Sequence, residues 1–348
     1  MQHVVFGAGL IGGYLAGAMT DKGLDVSMVA RPAVQEKLAD GLRLTDYQDH
    51  AAEINQVTFI SDKQLGDAPQ SRACDFLWLT VKCTAVESAL DELPALVGPN
   101  TVIFCVQNGL GSDKAVKEKF PHNTVMRAMV VFNVAEPSAG HLHRGSEGYL
   151  WIEELADCPD IARDLATNIN SPLLPTRSCD HMQALLWAKL QLNLANAVNA
   201  LADIPVKEML EDRDYRRVIA MLMRELLVVC KAKNIELPAV ANLPGRLIPI
   251  FIALPDFVFK RVGQKMIAID PTVRASMWWD LSAGKTTEVD YLNGAVVREG
   301  EALGLQSSAN KRLVEMIHAA ERGQLARGIS GKDLIASFVG HSSPLSYP

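Results

Sequence analysis

The feature that most constrains this chain lies at its start. His3-Val4-Val5-Phe6 is a short apolar run of strand character, and Gly7-Ala8-Gly9-Leu10-Ile11-Gly12 follows it without a gap. The spacing is G-x-G-x-x-G. The first glycine permits a tight turn, the second lets the backbone approach a pyrophosphate, and the third lets the following helix pack closely on the strand. A helix over 14–20 with a stop at Gly23 completes a strand-turn-helix unit, and phosphate binds at a helix N-terminus. Gly7, Ala8, Gly9, Leu10, Ile11 and Gly12 are therefore expected to hold a dinucleotide.

Two other readings of the segment fail. The stretch 4–19 is apolar enough to suggest a signal peptide, and Gly9, Gly13 and Gly17 match the small-xxx-small spacing of membrane helices. No positive region precedes it, it falls short of a span of about 20 residues, and Asp21 and Lys22 follow at once. Residues 247–254 are apolar but shorter and interrupted by Pro249. No membrane segment and no export are expected.

The second strand, residues 24–30, ends at Arg31, where an NAD-binding protein usually places an acidic residue for the ribose 2′-hydroxyl. A guanidinium suits a 2′-phosphate by charge and by its forked donors, so NADP(H) is expected over NAD. An ordinary surface arginine is the alternative.

Composition fits a cytoplasmic two-domain enzyme. The 348 residues suffice for two cores on a prior of about 100–200 residues per domain. Hydrophobic residues make up 49%, so burial is not limiting, and a net charge of -6 with no basic stripe argues against a nucleic-acid partner. Cys74, Cys83, Cys105, Cys158, Cys179 and Cys230 are scattered without a C-x-x-C and read as reduced thiols, mostly in the core. His141-x-His143 resembles a metal pair on one strand face, but no third ligand lies near it in sequence, so no metal is expected.

Strands and helices alternate at first. Residues 76–81 read as a buried strand ending at Lys82, and 101–106 as another ending at Gln107-Asn108-Gly109. Doubly wound sheets bind ligands at strand C-termini, which makes Lys82 and Asn108 candidates for the rim of the cofactor cleft. Residues 125–132 and 140–152 read as the remaining strands of this sheet. Beyond a boundary near 172–178 the pattern is helical throughout. The fold class is thus an α/β, Rossmann-type N-terminal domain over 1–176 followed by an all-α C-terminal domain over 177–348.

Lys189 is the only Lys or Arg between Asp180 and Asp203, in DHMQALLWAKLQLNLANAVNALAD, a stretch that reads as one mostly apolar helix broken by Pro205. An ammonium among Trp187, Leu190, Leu192 and Leu194 needs a reason, because burying it unpaired is costly. Either it snorkels to the surface or it is catalytic. Asn193 lies one turn along the same face and Asn196 three residues further. Asp180 with Gln183 fits a capping box for this helix, and a second helix is expected over 206–233. Thr287 with Asp290 resembles another capping box, which puts Glu288 in a first turn, where the helix dipole favours a carboxylate. There it suits an acceptor for a substrate hydroxyl, a ribose or Lys189, although capping alone also explains it.

Together these residues resemble the ketopantoate reductase (2-dehydropantoate 2-reductase) family, to about residue 322. The resemblance rests on residues 7–13 with Arg31; Val81-Lys82 and Asn108-Gly109-Leu110-Gly111; Trp187-Ala188-Lys189-Leu190 with Asn193; and Ser276-Met277, Asp280, Gly284, Thr287-Glu288-Val289-Asp290-Tyr291 and Asn293-Gly294. The last group is the most specific. The resemblance implies NADPH-dependent reduction of 2-dehydropantoate to (R)-pantoate, in pantothenate biosynthesis. It makes Lys189 the catalytic lysine, Glu288 its essential carboxylate partner and a cofactor contact, and Asn193 and Ser276 substrate contacts, with Asn196 a further candidate. Lys82 and Asn108 then line the NADPH site.

The chain departs from the family's pattern near the substrate. The second asparagine of N-x-x-x-N is one residue early at Asn196, and Val198-Asn199-Ala200 replaces a familiar proline and threonine. Segment 234–275 is long and apolar, Trp278-Trp279 is bulky, and Lys285-Thr286 stands where Arg and Pro are common. A larger or aromatic 2-oxo acid or ketone is the alternative substrate. A non-catalytic NADP-binding regulator is a second alternative, disfavoured because a sensor needs no proton donor. The apolar stretch 247–259 suggests a homodimer.

Overall fold

The apolar run at the N-terminus is β1 (Gln2–Phe6), and its residues alternate between two cores. Val5 enters one core, with Trp78 and Phe104. Val4 and Phe6 enter the other, with Leu77, Leu79, Ile103 and Cys105. Strands buried on both faces read as continuous apolar runs, which is why β1, β6 (Phe76–Leu79) and β7 (Val102–Cys105) stood out in the sequence. The computed structural model describes residues 1–61, 65, 73–239, 243–263 and 271–339. It divides into two compact units, 1–182 and 183–348.

The sheet of the first unit runs β12-β11-β8-β7-β6-β1-β2-β5, with β2 at Asp25–Val29, β5 at Phe59–Ile60, β8 at Val125–Val130, β11 at Leu150–Glu153 and β12 at Thr176–Cys179. From β5 to β8 every pairing is parallel, and β11 then runs antiparallel to β8. The chain winds outward from β1 through β2 to β5 and then returns beside β1 as β6. The order therefore reverses between β1 and β6, the position at which open α/β sheets bind ligands.

A second sheet was not foreseen. Residues 140–152 do not all join the main sheet: β10 (His141–Arg144) leaves it for a second sheet, β4-β3-β10-β9, with β3 at Leu42–Asp46, β4 at Ala51–Ile54 and β9 at Val134–Ser138. This sheet packs on α1 (Leu10–Asp21). A Cβ at Gly17 would lie 2.6 Å from Leu42 Cδ2, and one at Gly13 would lie 3.0 Å from Leu142 Cδ1. The small-xxx-small spacing is thus a groove that admits the second sheet. His141 Nε2 and His143 Nδ1 both meet the Thr45 hydroxyl, at 2.7 and 2.8 Å, so the pair is tied to a neighbouring strand. The sheet is anchored by Arg144, whose buried guanidinium bonds Asp46 Oδ2 at 2.6 Å and the Pro172 carbonyl at 2.9 Å.

The second unit is helical among the described residues: α6 (Met182–Asn193), α7 (Ala195–Ala202), α8 (Val206–Glu211), α9 (Arg213–Ala232), α10 (Ile248–Ile252), α11 (Asp256–Val262), α12 (Ser276–Ser282), α13 (Asn293–Glu301), α14 (Ser308–Glu321) and α15 (Gly331–Val339). Two expected helices are each split. The 180–203 stretch breaks at Leu194, and the 206–233 stretch breaks at Asp212, whose side chain caps α9 by accepting from Asp214 N at 2.7 Å. α6 begins at Met182, so Asp180 is not the residue at its N-cap as expected, and its carboxylate meets His181 Nδ1 at 2.8 Å. In segment 234–275, Phe259 is core: Arg216 lies 4.1 Å over its ring and bonds the carbonyls of Ile252 and Leu254. Residues 240–242 and 264–270 of that segment lie outside the described residues.

Most cysteines are core residues, as expected. Burial pushes the thiols of Cys74, Cys105 and Cys230 up to about 12 and that of Cys179 up to about 11. No helix among the described residues is long and apolar enough to cross a membrane.

Candidate active site

The dinucleotide turn is built from three glycines under different constraints. Gly7 takes φ +102°, a left-handed conformation open to glycine, and a Cβ there would lie 2.7 Å from Val81 Cγ1 and 2.9 Å from Val81 N. A Cβ at Gly12 would lie 2.2 Å from Gly7 O and 2.3 Å from Thr80 Oγ1. Thr80 itself donates to Gly7 O at 2.7 Å, or alternatively to Phe6 O at 3.0 Å, joining the ends of β1 and β6 at the switch point. Gly9, the N-cap of α1, differs: a Cβ there meets none of the described residues within 4 Å. The open side of Gly9 and the first-turn N–H groups of α1, which lack intrahelical acceptors, form a cradle that a pyrophosphate fits. Ala8 is buried, whereas Leu10 and Ile11 reach the surface or near it.

The rim comes from the loops after β2, β6 and β7. Arg31 is exposed at the N-cap of α2 (Pro32–Lys37), two residues beyond β2. Lys82 is exposed and precedes a 3-10 turn over Cys83–Ala85. Asn108 is half-buried, and its carbonyl accepts from Cys83 Sγ at 2.9 Å. Gln107, which sequence reasoning passed over, locks the two loops together: Nε2 donates to Leu79 O at 2.7 Å and to Val81 O at 3.2 Å. Its only sequence signal was a polar residue closing an apolar strand.

In the second unit Trp187, Leu190 and Leu194 turn inward, while Lys189 and Asn193 are half-buried one turn apart on α6. The break at Leu194 puts Asn196 in the first turn of α7, not on a continuous stripe. Ser276 is exposed at the start of α12, with Met277 and Asp280 buried behind it. α12 packs on α7 and is tied to it by Asn199, a buried residue in the place of the missing proline and threonine. Asn199 Oδ1 accepts from Ala275 N at 3.0 Å, and Nδ2 donates to Ile204 O at 2.8 Å. Glu288 is 7% exposed and precedes a 3-10 turn over Val289–Tyr291, where a capped α-helix was expected. Thr287 Oγ1 accepts from Val289 N at 3.3 Å, one residue short of a capping box.

Comparison with known proteins places the chain in a family. The model described as "Ketopantoate reductase PanE/ApbA" matches residues 3–157, and its C-terminal counterpart matches 181–321. The chain belongs to the ketopantoate reductase family. A member of that family is an NADP(H)-dependent oxidoreductase acting on 2-oxo acids. The 2-dehydropantoate 2-reductase of Caulobacter vibrioides is 27% identical over 317 residues, 91% of this chain and 98% of that protein. That of Archaeoglobus fulgidus is 22% identical over 92% of this chain and 97% of its own. Among solved structures, a PanE/ApbA family ketopantoate reductase from Ralstonia eutropha shares 27% identity at a TM-score of 0.76, over 93% of this chain and 99% of that one. A D-mandelate dehydrogenase, solved with NADH and anilino(oxo)acetate, has the same fold at a TM-score of 0.77 and 20% identity, over 93% of this chain and 99% of that one.

Proposed function

We propose that this chain reduces 2-dehydropantoate to (R)-pantoate with NADPH. The observation that carries the proposal is the polar set kept by a family member in one helical unit: Lys189 and Asn193 a turn apart on α6, with Glu288 buried at a turn. Gly7, Ala8, Gly9, Leu10, Ile11 and Gly12 hold the pyrophosphate, Arg31 the 2′-phosphate, and Lys82 and Asn108 the rim. NADPH supplies the hydride. Negative charge then develops on the carbonyl oxygen of the 2-oxo acid, and Lys189 stabilises it and donates the proton. Glu288 orients the ammonium or the substrate hydroxyl, and Asn193, Asn196 and Ser276 fix the substrate's polar groups.

A second reading, a larger or aromatic 2-oxo acid, is favoured by one observation: Trp279, 61% exposed, stands three residues after Ser276, with its ring edge-on to Trp278 at 4.8 Å. A panel of 2-oxo acids with NADPH oxidation followed at fixed enzyme separates the two. Ketopantoate is expected to give the highest kcat/KM; phenylglyoxylate above ketopantoate would replace the first reading by the second. In the same assay Arg31→Ala is expected to raise KM for NADPH about tenfold, a loss of about 1.4 kcal/mol, and to leave KM for NADH unchanged. An equal effect on both cofactors would remove Arg31 from the 2′-phosphate.

Unpaired cysteines such as Cys74, Cys105 and Cys230 support a cytoplasmic location, readable by fractionation. The exposed Ile250, Phe257 and Val262 support a homodimer, and a monomer throughout a light-scattering concentration series would count against it.

A further inference from the structure

The stretch that carries Glu288 is held at both ends by one face of α14. Glu321 Oε1 accepts from Thr287 N, the residue before Glu288, at 2.8 Å. The other Glu321 oxygen meets His318 Nδ1 at 2.8 Å, and His318 Nε2 meets Asp290 Oδ1, two residues after Glu288, at 3.1 Å. His318 and Glu321 are three residues apart on α14, so they share a face. Carboxylates accept and do not donate, so both ring nitrogens need a proton for both contacts to be hydrogen bonds. The geometry is that of an imidazolium between two carboxylates.

We propose that His318 and Glu321 are positioning residues that hold Glu288 in register for the reaction, and that losing the His318 proton opens one end of this clamp. The proposal rests on the functional reading above, in which Glu288 is the carboxylate partner of Lys189. Neither His318 nor Glu321 belongs to the family-like motifs in the sequence, and neither is assigned a part in substrate or cofactor binding.

Among the described residues, Asp290 and Glu321 are the two carboxylates within ion-pair distance of the ring. Asp290 faces the ring from the 3-10 turn and Glu321 from the same helix. From α13, Arg298 donates to the Asp290 carbonyl at 2.6 Å. From α9, Glu225 binds the far end of α14, at the backbone N–H groups of Ala309 and Asn310. α7, which also packs on α14, carries no ionisable side chain, and α15 touches α14 through Ser337 and Met316 with Lys332 and Asp333 in its own first turn. Burial alone lowers the His318 pKa, but the hydrogen bonds to Glu321 and Asp290 and their charges outweigh it, and the net direction is upward. For Glu321, burial raises the pKa, and the bonds from His318 and Thr287 outweigh it to bring it below the ordinary glutamate value. The His318 contribution is therefore complete below the ordinary histidine range and is lost as pH rises through the elevated folded value. Glu321 contributes above the ordinary glutamate range and is lost as pH falls through its depressed value.

Two readouts on the full-length protein test the clamp: backbone amide and histidine-ring NMR across a pH series, and the pH profile of kcat/KM. The Thr287 and Glu288 amides are expected to titrate with the His318 ring, with kcat/KM falling in the same window. His318→Gln is expected to abolish that amide titration, flatten that limb, and lower kcat/KM about tenfold on its acid side. Glu321→Gln keeps an acceptor for Thr287 N–H but loses the charge, and is expected to move the His318 midpoint down. Amides of 287–290 that stay still while the ring titrates, or a wild-type profile in His318→Gln, would overturn the proposal. Absence of any 2-oxo acid turnover in the wild-type protein would refute the functional reading instead, and the amide titration would still decide the clamp.

Discussion

Lys189→Ala is expected to lower kcat by roughly 10²–10⁴-fold, the range a positioned general acid supplies, with NADPH affinity unchanged. The separation follows from where the groups lie. The cradle around Gly9 and the rim at Arg31, Lys82 and Asn108 belong to the first unit, whereas Lys189 belongs to α6 of the second. Stopped-flow single turnovers read the chemical step, and calorimetric titration with NADPH reads the binding step. Because charge builds on the carbonyl oxygen only as the hydride arrives, the loss should fall on kcat more than on KM. Near-normal single-turnover rates on the true substrate would take Lys189 out of the chemistry.

Arg144→Met is expected to destabilise the first unit by about 3–5 kcal/mol, because it leaves the Asp46 carboxylate buried without its guanidinium partner. Both side chains are almost wholly excluded from solvent, and what remains to Asp46 is His50 Nδ1 at Oδ2 and the Gln48 and His50 N–H groups at Oδ1, each at 2.9 Å. Burial acts to raise the Asp46 pKa, but the hydrogen bonds from His50 and Arg144 prevail and bring it down to about 2 from 3.8. With a depressed folded value, this contribution is present above about pH 4 and lost as pH falls toward 2. Urea unfolding at pH 7 and along an acid series should show the penalty at pH 7 and its shrinkage in acid. An unfolding free energy at pH 7 within about 0.5 kcal/mol of the parent protein would show that the pair is energetically idle.

The parts of this protein that were legible in its sequence are those governed by short-range rules. The glycine turn was readable because it needs a positive φ at Gly7 and near-contact at Gly12, requirements that few other residues meet. The strands β1, β6 and β7 were readable because burial on both faces makes them uniformly apolar. Lys189 and Asn193 were readable as a pair because a helix places residues four apart on one face. The second sheet was not, because β10 pairs in parallel with β3 across about a hundred residues of chain and no local pattern tells a strand which sheet it joins. The helix break at Leu194 was hidden as well: leucines and alanines run through both flanks, and no proline or glycine marks the site. Asn199 read only as a departure from a pattern, since its two partners, Ala275 N and Ile204 O, are backbone atoms.

The three glycines of the turn answer to different masters. Gly7 and Gly12 are dictated by the protein's own atoms, so the fold itself would reject a side chain at either. At Gly9 an added Cβ would meet none of the described residues within 4 Å, so in the proposed reading the room there serves a bound nucleotide. A descendant that abandoned its cofactor would keep folding while position 9 drifted, with positions 7 and 12 still fixed. Reading position 9 alone in a distant relative would then tell whether that relative still carries a nucleotide, independently of whether it retains the architecture.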